Sequence, residues 1–385
     1  MRSAWLSSTS FLVSLGVLCG SVAHAAPDAA WVARMDAMAI ALSELSPLLV
    51  EGVSWDAATQ ERARGQIRAL ESVAHGLAAG PGKRFPDTDP TLPLLTRELA
   101  VALDDAKHAA GDKLKSDALL VVATCIGCHT RGDLGAPRPT MTLPPIKVAD
   151  PWLKADILLA TRRFDEARAA YKSVVGDEAF AQKNPYLWER AVKRALVLEV
   201  RTLRDPRRAL EVATTVINTP GGEPLWRDAA EWERDIKSWM TEPTTTPSPD
   251  ALYRQAQRLM DTAIARAPGD SGGDVVYLRA TALLHRLLAH PLDAPRRAQA
   301  LSWLAIAYEA LRDVDVWSLF LIYNEACVEA APRTPIAAEC YSRLERLLFV
   351  EHTGSAGGPL PDPEQKKLAR LKGLTLPAAP QTPSP

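Results

Sequence analysis

The amino-acid sequence predicts an all-α protein: a four-helix bundle followed by an array of α-hairpins. Three observations predict it. Apolar residues recur at spacings of three and four in residues 28–131, 151–240 and 250–350, the pattern of helices with one buried face. The 30 prolines cluster between these periodic stretches rather than inside them, where each would break a helix. The 385 residues are 47% apolar and 24% charged, which is enough core for two or three globular domains.

Residues 1–25 read as an export signal. Arg2 supplies the positive start, Phe11 to Leu18 a short apolar core, and Ala23-His24-Ala25 an A-x-A cleavage site. The core is too short to span a bilayer. Cys19 follows Leu18 where a lipoprotein would have a small residue, which weighs against lipidation. No later stretch reaches the roughly 18 apolar residues of a membrane helix. The mature chain is therefore expected to be exported, periplasmic and without a transmembrane segment.

The bundle occupies residues 26–131. Its first helix, 28–50, places Trp31, Met35, Met38, Leu42, Leu45 and Leu49 on one stripe. The second, 56–79, carries Ile67, Leu70, Val73 and Leu77, and Gly80-Pro81-Gly82 ends it. The third, 91–110, carries Leu95, Leu99, Ala102 and Leu103. The fourth, 113–131, carries Leu114, Ala118, Val121, Val122, Cys125 and His129. Four helices of this length joined by short turns suggest an antiparallel bundle. Residues 132–150, with Pro137, Pro139, Pro144 and Pro145, read as a linker.

Helical periodicity returns over 151–240, pauses in a Thr/Pro-rich linker over 241–250, and resumes over 251–352. Within the first stretch, Ala155-Asp156-Ile157-Leu158-Leu159, Phe164-Asp165-Glu166-Ala167 and Tyr171 resemble a tetratricopeptide repeat. Asp205-Pro206-Arg207-Arg208-Ala209 begins a weaker copy. Trp303-Leu304-Ala305, Ala307-Tyr308, Asp313 and Pro332 to Pro335 suggest another hairpin of that type. Residues 353–385 read as a Pro/Gly-rich tail.

Charge narrows the function classes. Lys and Arg number 45 against 46 Asp and Glu, a net charge of −1, so no basic excess exists to neutralise the phosphates of a nucleic acid. Once Cys19 leaves with the signal, four cysteines remain in two pairs. Cys327 and Cys340 flank a Pro-rich turn between two predicted helices, and an exported chain meets an oxidising compartment, so a disulfide is expected between them.

The other pair carries the chemistry. Cys125-Ile126-Gly127-Cys128-His129 is CxxCH, the attachment motif of a c-type haem. On a helix, positions i, i+3 and i+4 share one face. Two thiols there reach two haem vinyl groups as thioethers, and the adjacent imidazole reaches the iron. The competing readings are a redox disulfide and half of a zinc site. Zinc would need a second ligand pair at suitable spacing, and a redox CxxC belongs at a helix start. Here helical periodicity precedes Cys125 by about three turns. One covalent haem c per chain is the expectation.

With these residues in view, the first third of the chain resembles the cytochrome c′ and cytochrome c-556 family, a four-helix bundle with CxxCH near the end of its fourth helix. Gly80-Pro81-Gly82-Lys83-Arg84-Phe85-Pro86 is similar to the family's Phe-Pro turn, and Arg34 precedes Met38 by the family's spacing to its distal-face residue. Unlike the family, this chain continues for more than half its length beyond the motif. The resemblance implies His129 as proximal axial ligand and Met38 as distal ligand, with Met35 the rival on the same stripe. Methionine would give a low-spin iron of raised potential; an open distal site would instead bind CO or NO. The family also implies a homodimer as an option.

No nucleophile elbow, HExxH or P-loop is present, so an enzyme is not expected. His285 and His290 are five apart and do not share a helix face. Three functions follow in order: electron transfer with a redox partner protein docked on the helical array, gas binding at an open distal site, and an interaction scaffold.

Overall fold

The structure is a computed structural model; it describes residues 29–50, 53, 55–74, 92–131, 143–242, 248–266, 271–312, 319–353 and 358–375. The signal at 1–25, the Gly80–Pro86 turn, Asp313, residues 243–247 of the Thr/Pro-rich segment and the last ten residues lie outside that set. The described residues form sixteen α-helices and no strand.

Four helices come first: α1 (Ala29–Leu45), α2 (Ala57–Ala74), α3 (Leu92–His108) and α4 (Gly111–His129). Pro47 tightens the end of α1 into a 3-10 turn, Ser46–Leu48. The predicted stripes are the buried faces: Leu42, Leu45, Ile67, Leu70, Leu103, Leu114, Ala118 and Val121 are almost wholly enclosed. Each helix packs on the next.

The next helices are α5 (Pro151–Ala160), α6 (Phe164–Val175), α7 (Glu178–Lys183), α8 (Pro185–Leu196), α9 (Pro206–Asn218) and α10 (Glu223–Met240). Proline at the first positions of α5, α8 and α9 starts each helix at no hydrogen-bonding cost. The side chain of Asp205 accepts from the backbone N–H groups of Arg207 and Arg208 and caps α9. Helix α8 does not stop at Leu196 but widens into a π-helical turn, Val197–Thr202. Helix α5 packs on both α4 and α1, which pack little on each other.

The remaining helices are α11 (Pro249–Ile264), α12 (Asp274–Leu288), α13 (Ala294–Ala310), α14 (Leu319–Ala330), α15 (Pro335–Thr353) and α16 (Asp362–Thr375). Ser248 and Asp293 cap α11 and α13. Three inter-helix turns, after α5, after the π turn and before α15, pass through a left-handed arginine: Arg162 (φ 59°), Arg204 (φ 56°) and Arg333 (φ 62°). Glycine usually fills such positions because it has no Cβ to clash.

Two expectations are corrected. The stretch 132–150 is not a free linker where it is described: Ile146 and Val148 are buried in the same core as α1–α4 and α5–α10. That one core runs from Met38 to Ile236 and also takes in Val275, Leu278 and Leu311, so no seam separates the first four helices from the array. Nor is 353–385 only a tail, because it contains α16. Leu368 and Leu371 of α16 are buried, and the Arg333 backbone N–H donates to the Leu374 carbonyl at 2.7 Å. Leu368, Leu371 and Leu374 form one short stripe among charged residues, and packing on the second core sustains this helix.

A second core gathers α11–α16. It reaches back to the start of the chain: Leu95 of α3 belongs to it, and Arg97 pairs with the buried Glu325 of α14 at 3.6 Å. The array therefore curves round until its far end touches the first helices.

Candidate functional site: the C-terminal end of α4

Helix α4 runs unbroken through the CxxCH motif and ends on His129. Cys125 faces the core and is buried, whereas Cys128 is half-buried; both are free thiols. Burial pushes the Cys125 thiol up to about 12, with the neighbouring Cys128 adding to the shift. A redox-active CxxC needs the opposite, a stabilised thiolate at a helix N-terminus. Cys125 lies in the last turns of α4, where the helix dipole disfavours negative charge. A zinc site is also poorly served, since among the described residues no three His, Cys, Asp or Glu side chains gather around one point.

His129 is held from the array side. Its Nδ1 lies 2.7 Å from the carbonyl oxygen of Ala160, the last residue of α5. A carbonyl only accepts, so Nδ1 carries the hydrogen and Nε2 keeps its lone pair. Burial is the main cause that pushes the imidazole down to about 3, and the Arg162 guanidinium adds to it. The Ala160 carbonyl opposes the shift and Arg131 reinforces it. The ring is neutral at any physiological pH, the form that ligates a metal.

The next residue, Thr130, is fully buried and is itself clamped. Its hydroxyl donates to the Ile126 carbonyl at 2.8 Å, closing the last turn of α4. Arg201, also fully buried, donates from Nε to the Thr130 carbonyl at 2.9 Å and from Nη2 to Thr130 Oγ1 at 2.6 Å. Thr202 Oγ1 approaches the same carbonyl at 3.4 Å. Both residues belong to the π turn after α8. The Arg201 guanidinium lies over the Tyr308 ring at 5.3 Å. Tyr308 stacks on Tyr323 and shares a 2.8 Å hydrogen bond with His285 Nε2. Arg131 donates to Tyr323 Oη at 3.2 Å. A buried polar layer thus joins the end of α4 to both cores.

The other predicted residues fall as follows. Met38 is buried in the same core as Cys125; Met35 is half-buried at its edge. Cys327 and Cys340 form a disulfide between α14 and α15, with Cα atoms 6.2 Å apart. Sequence reasoning missed Ala160, Thr130 and Arg201. Ala160 acts through its backbone and leaves no side-chain signal. Arg201 did leave one, as a charge ending the apolar run Ala195 to Val200, which only Glu199 interrupts.

No protein-family model matches this chain, and neither a curated protein nor a solved structure matches it.

Proposed function

We propose that the chain is a monohaem c-type cytochrome that transfers electrons to or from a partner protein outside the cytoplasm. The observation that carries this reading is the state of His129: neutral, its Nδ1 held by the Ala160 carbonyl and its Nε2 left as a lone-pair donor, on the same helix as two free thiols. Ligating histidines are oriented by such a bond on the second ring nitrogen. Cys125 and Cys128 are the thioether positions, and His129 is the proximal ligand. Met38, buried in the core it shares with Cys125, is the distal ligand; Met35 is its rival. A haem there would supply one-electron Fe(III)/Fe(II) exchange, with a potential raised by a thioether ligand.

The rest of the chain shapes that site. Helix α5 spans α1 and α4, the two helices that carry the opposed ligands, and provides the Ala160 carbonyl. Arg162 and Arg131, whose charges act on His129, favour the reduced state of a centre bound there. The Cys327–Cys340 bridge fits an exported protein. The outer hairpins offer the extended surface on which helical arrays take partner proteins.

The test is the visible spectrum of the full-length exported protein, oxidised and reduced, with and without CO. A covalent c-type spectrum unchanged by CO supports His129/Met38 ligation and electron transfer. A high-spin spectrum that shifts with CO replaces electron transfer with gas binding. Protein without haem, from cells that attach it to other c-type cytochromes, overturns both.

A further inference from the structure

We propose that Arg201 is a positioning residue for His129, so that the array, rather than the first four helices, sets the orientation and potential of the iron's proximal ligand. This rests on the haem reading above and goes beyond it, because no part of the CxxCH motif implies a role for the second helical segment.

The last carbonyls of an α-helix have no partner within the helix, and the negative end of its dipole lies there. In α4 that end coincides with the proposed axial ligand. Thr130, directly after His129, receives both arms of the Arg201 fork: Nε on its carbonyl and Nη2 on its hydroxyl. The hydroxyl in turn donates to the Ile126 carbonyl, so one guanidinium ties the last turn of α4 at two points. Only arginine offers two coplanar donors in this fixed geometry.

The guanidinium is itself fixed. It has no solvent exposure, and the Tyr308 ring covers it at 5.3 Å. The π turn is what delivers it. In an α-helix the chain advances about 100° per residue; the wider turn Val197–Thr202 changes that register and directs both Arg201 and Thr202 at Thr130. Single π turns are frequent at functional sites for this reason. His129 is thereby restrained twice by the array, at its ring by α5 and, through the next residue Thr130, by the π turn. A displacement at Thr130 would rotate the imidazole, and removing the cation would take away a positive charge one residue from the ligand.

The experiment uses the full-length, haem-loaded protein and four forms: wild type, Arg201→Met, Arg201→Lys and Thr130→Val. The readouts are the ferric EPR signal, which reports imidazole orientation, the reduction potential, and the unfolding midpoint. Arg201→Met is expected to keep the haem, alter the EPR signal and lower the potential. The fall expected is a tenfold change in the ferric-to-ferrous ratio, about 59 mV for one electron. Arg201→Lys restores the potential but not the EPR signal. Thr130→Val alters the EPR signal with the charge intact, and carries the test if Arg201→Met does not fold. If haem-loaded Arg201→Met and Thr130→Val show wild-type EPR and potential and differ only in unfolding midpoint, Arg201 is merely structural and the inference fails while the haem reading stands. Wild type without haem overturns both.

Discussion

The two cysteine pairs place the same chemistry in two regions with opposite outcomes. Cys125 and Cys128 sit three apart on one helix, Cys125 in the first core and Cys128 half-buried, and no disulfide joins them. Cys327 and Cys340 sit on two helices of the second core, thirteen residues apart, and are joined. The joined pair closes a loop and stabilises the fold. The free pair closes nothing; it presents two sulfurs and an imidazole to one side of α4. The difference teaches that a cysteine's role follows from which elements carry it, since a bond across two helices constrains the chain and a pair along one helix scarcely does.

The largest expected effect separates the two pairs directly. Cys125→Ala or Cys128→Ala is expected to weaken or abolish covalent haem attachment, and the double variant to abolish it, as read by haem staining after denaturing electrophoresis. Cys327→Ser with Cys340→Ser leaves attachment intact. Equal staining of all forms would break the comparison.

Next is Met38→Ala. Truncating a methionine this buried costs about 2–5 kcal/mol, read by denaturant unfolding, and the haem-loaded form gains CO binding. A CO-inert variant would transfer the distal role to Met35.

The disulfide effect is of similar or smaller size. Its loop of thirteen residues stabilises the fold by about 3 kcal/mol on a chain-entropy basis. The Cys327→Ser, Cys340→Ser chain should therefore unfold at markedly lower denaturant. No shift in the midpoint would mean that the second core keeps its geometry without the bridge.

The smallest effect is a pH dependence in the layer between the two cores. Burial, then Arg131 and Arg201, push His285 well below its usual range. Below pH about 6.5 the unfolded chain takes up a proton at this histidine and the folded chain does not. Its contribution to stability is therefore lost as pH falls, by at most about 1.4 kcal/mol per pH unit. His285→Gln, which keeps an acceptor for the Tyr308 hydroxyl, should flatten the decline between pH 6.5 and 5. An unchanged slope would refute the assignment.

Much of this was legible in the residues. The stripes of α1 to α4 could be read because a helix that buries one face must repeat its apolar residues every three or four positions. CxxCH could be read because its spacing is set by one helix face. Less was visible where packing decides. Helix α16 buries Leu368 and Leu371 and half-buries Leu374, and a backbone bond from Arg333 to Leu374 anchors its end. The linker reading of 132–150 followed its prolines, yet Ile146 and Val148 are pinned in the core.

By itself, then, the sequence determined the all-helical class, the first four helices and the placing of two thiols and an imidazole on one helix face. These are local matters, settled by propensity, period and spacing within a few turns. The tertiary structure alone decided that α5 packs on α4, that Ala160 holds His129, and that a π turn brings Arg201 seventy-one residues along the chain to Thr130. Such contacts join residues whose separation carries no pattern. They form because buried polar groups must find partners, and the partner is whichever group the packed helices bring within reach.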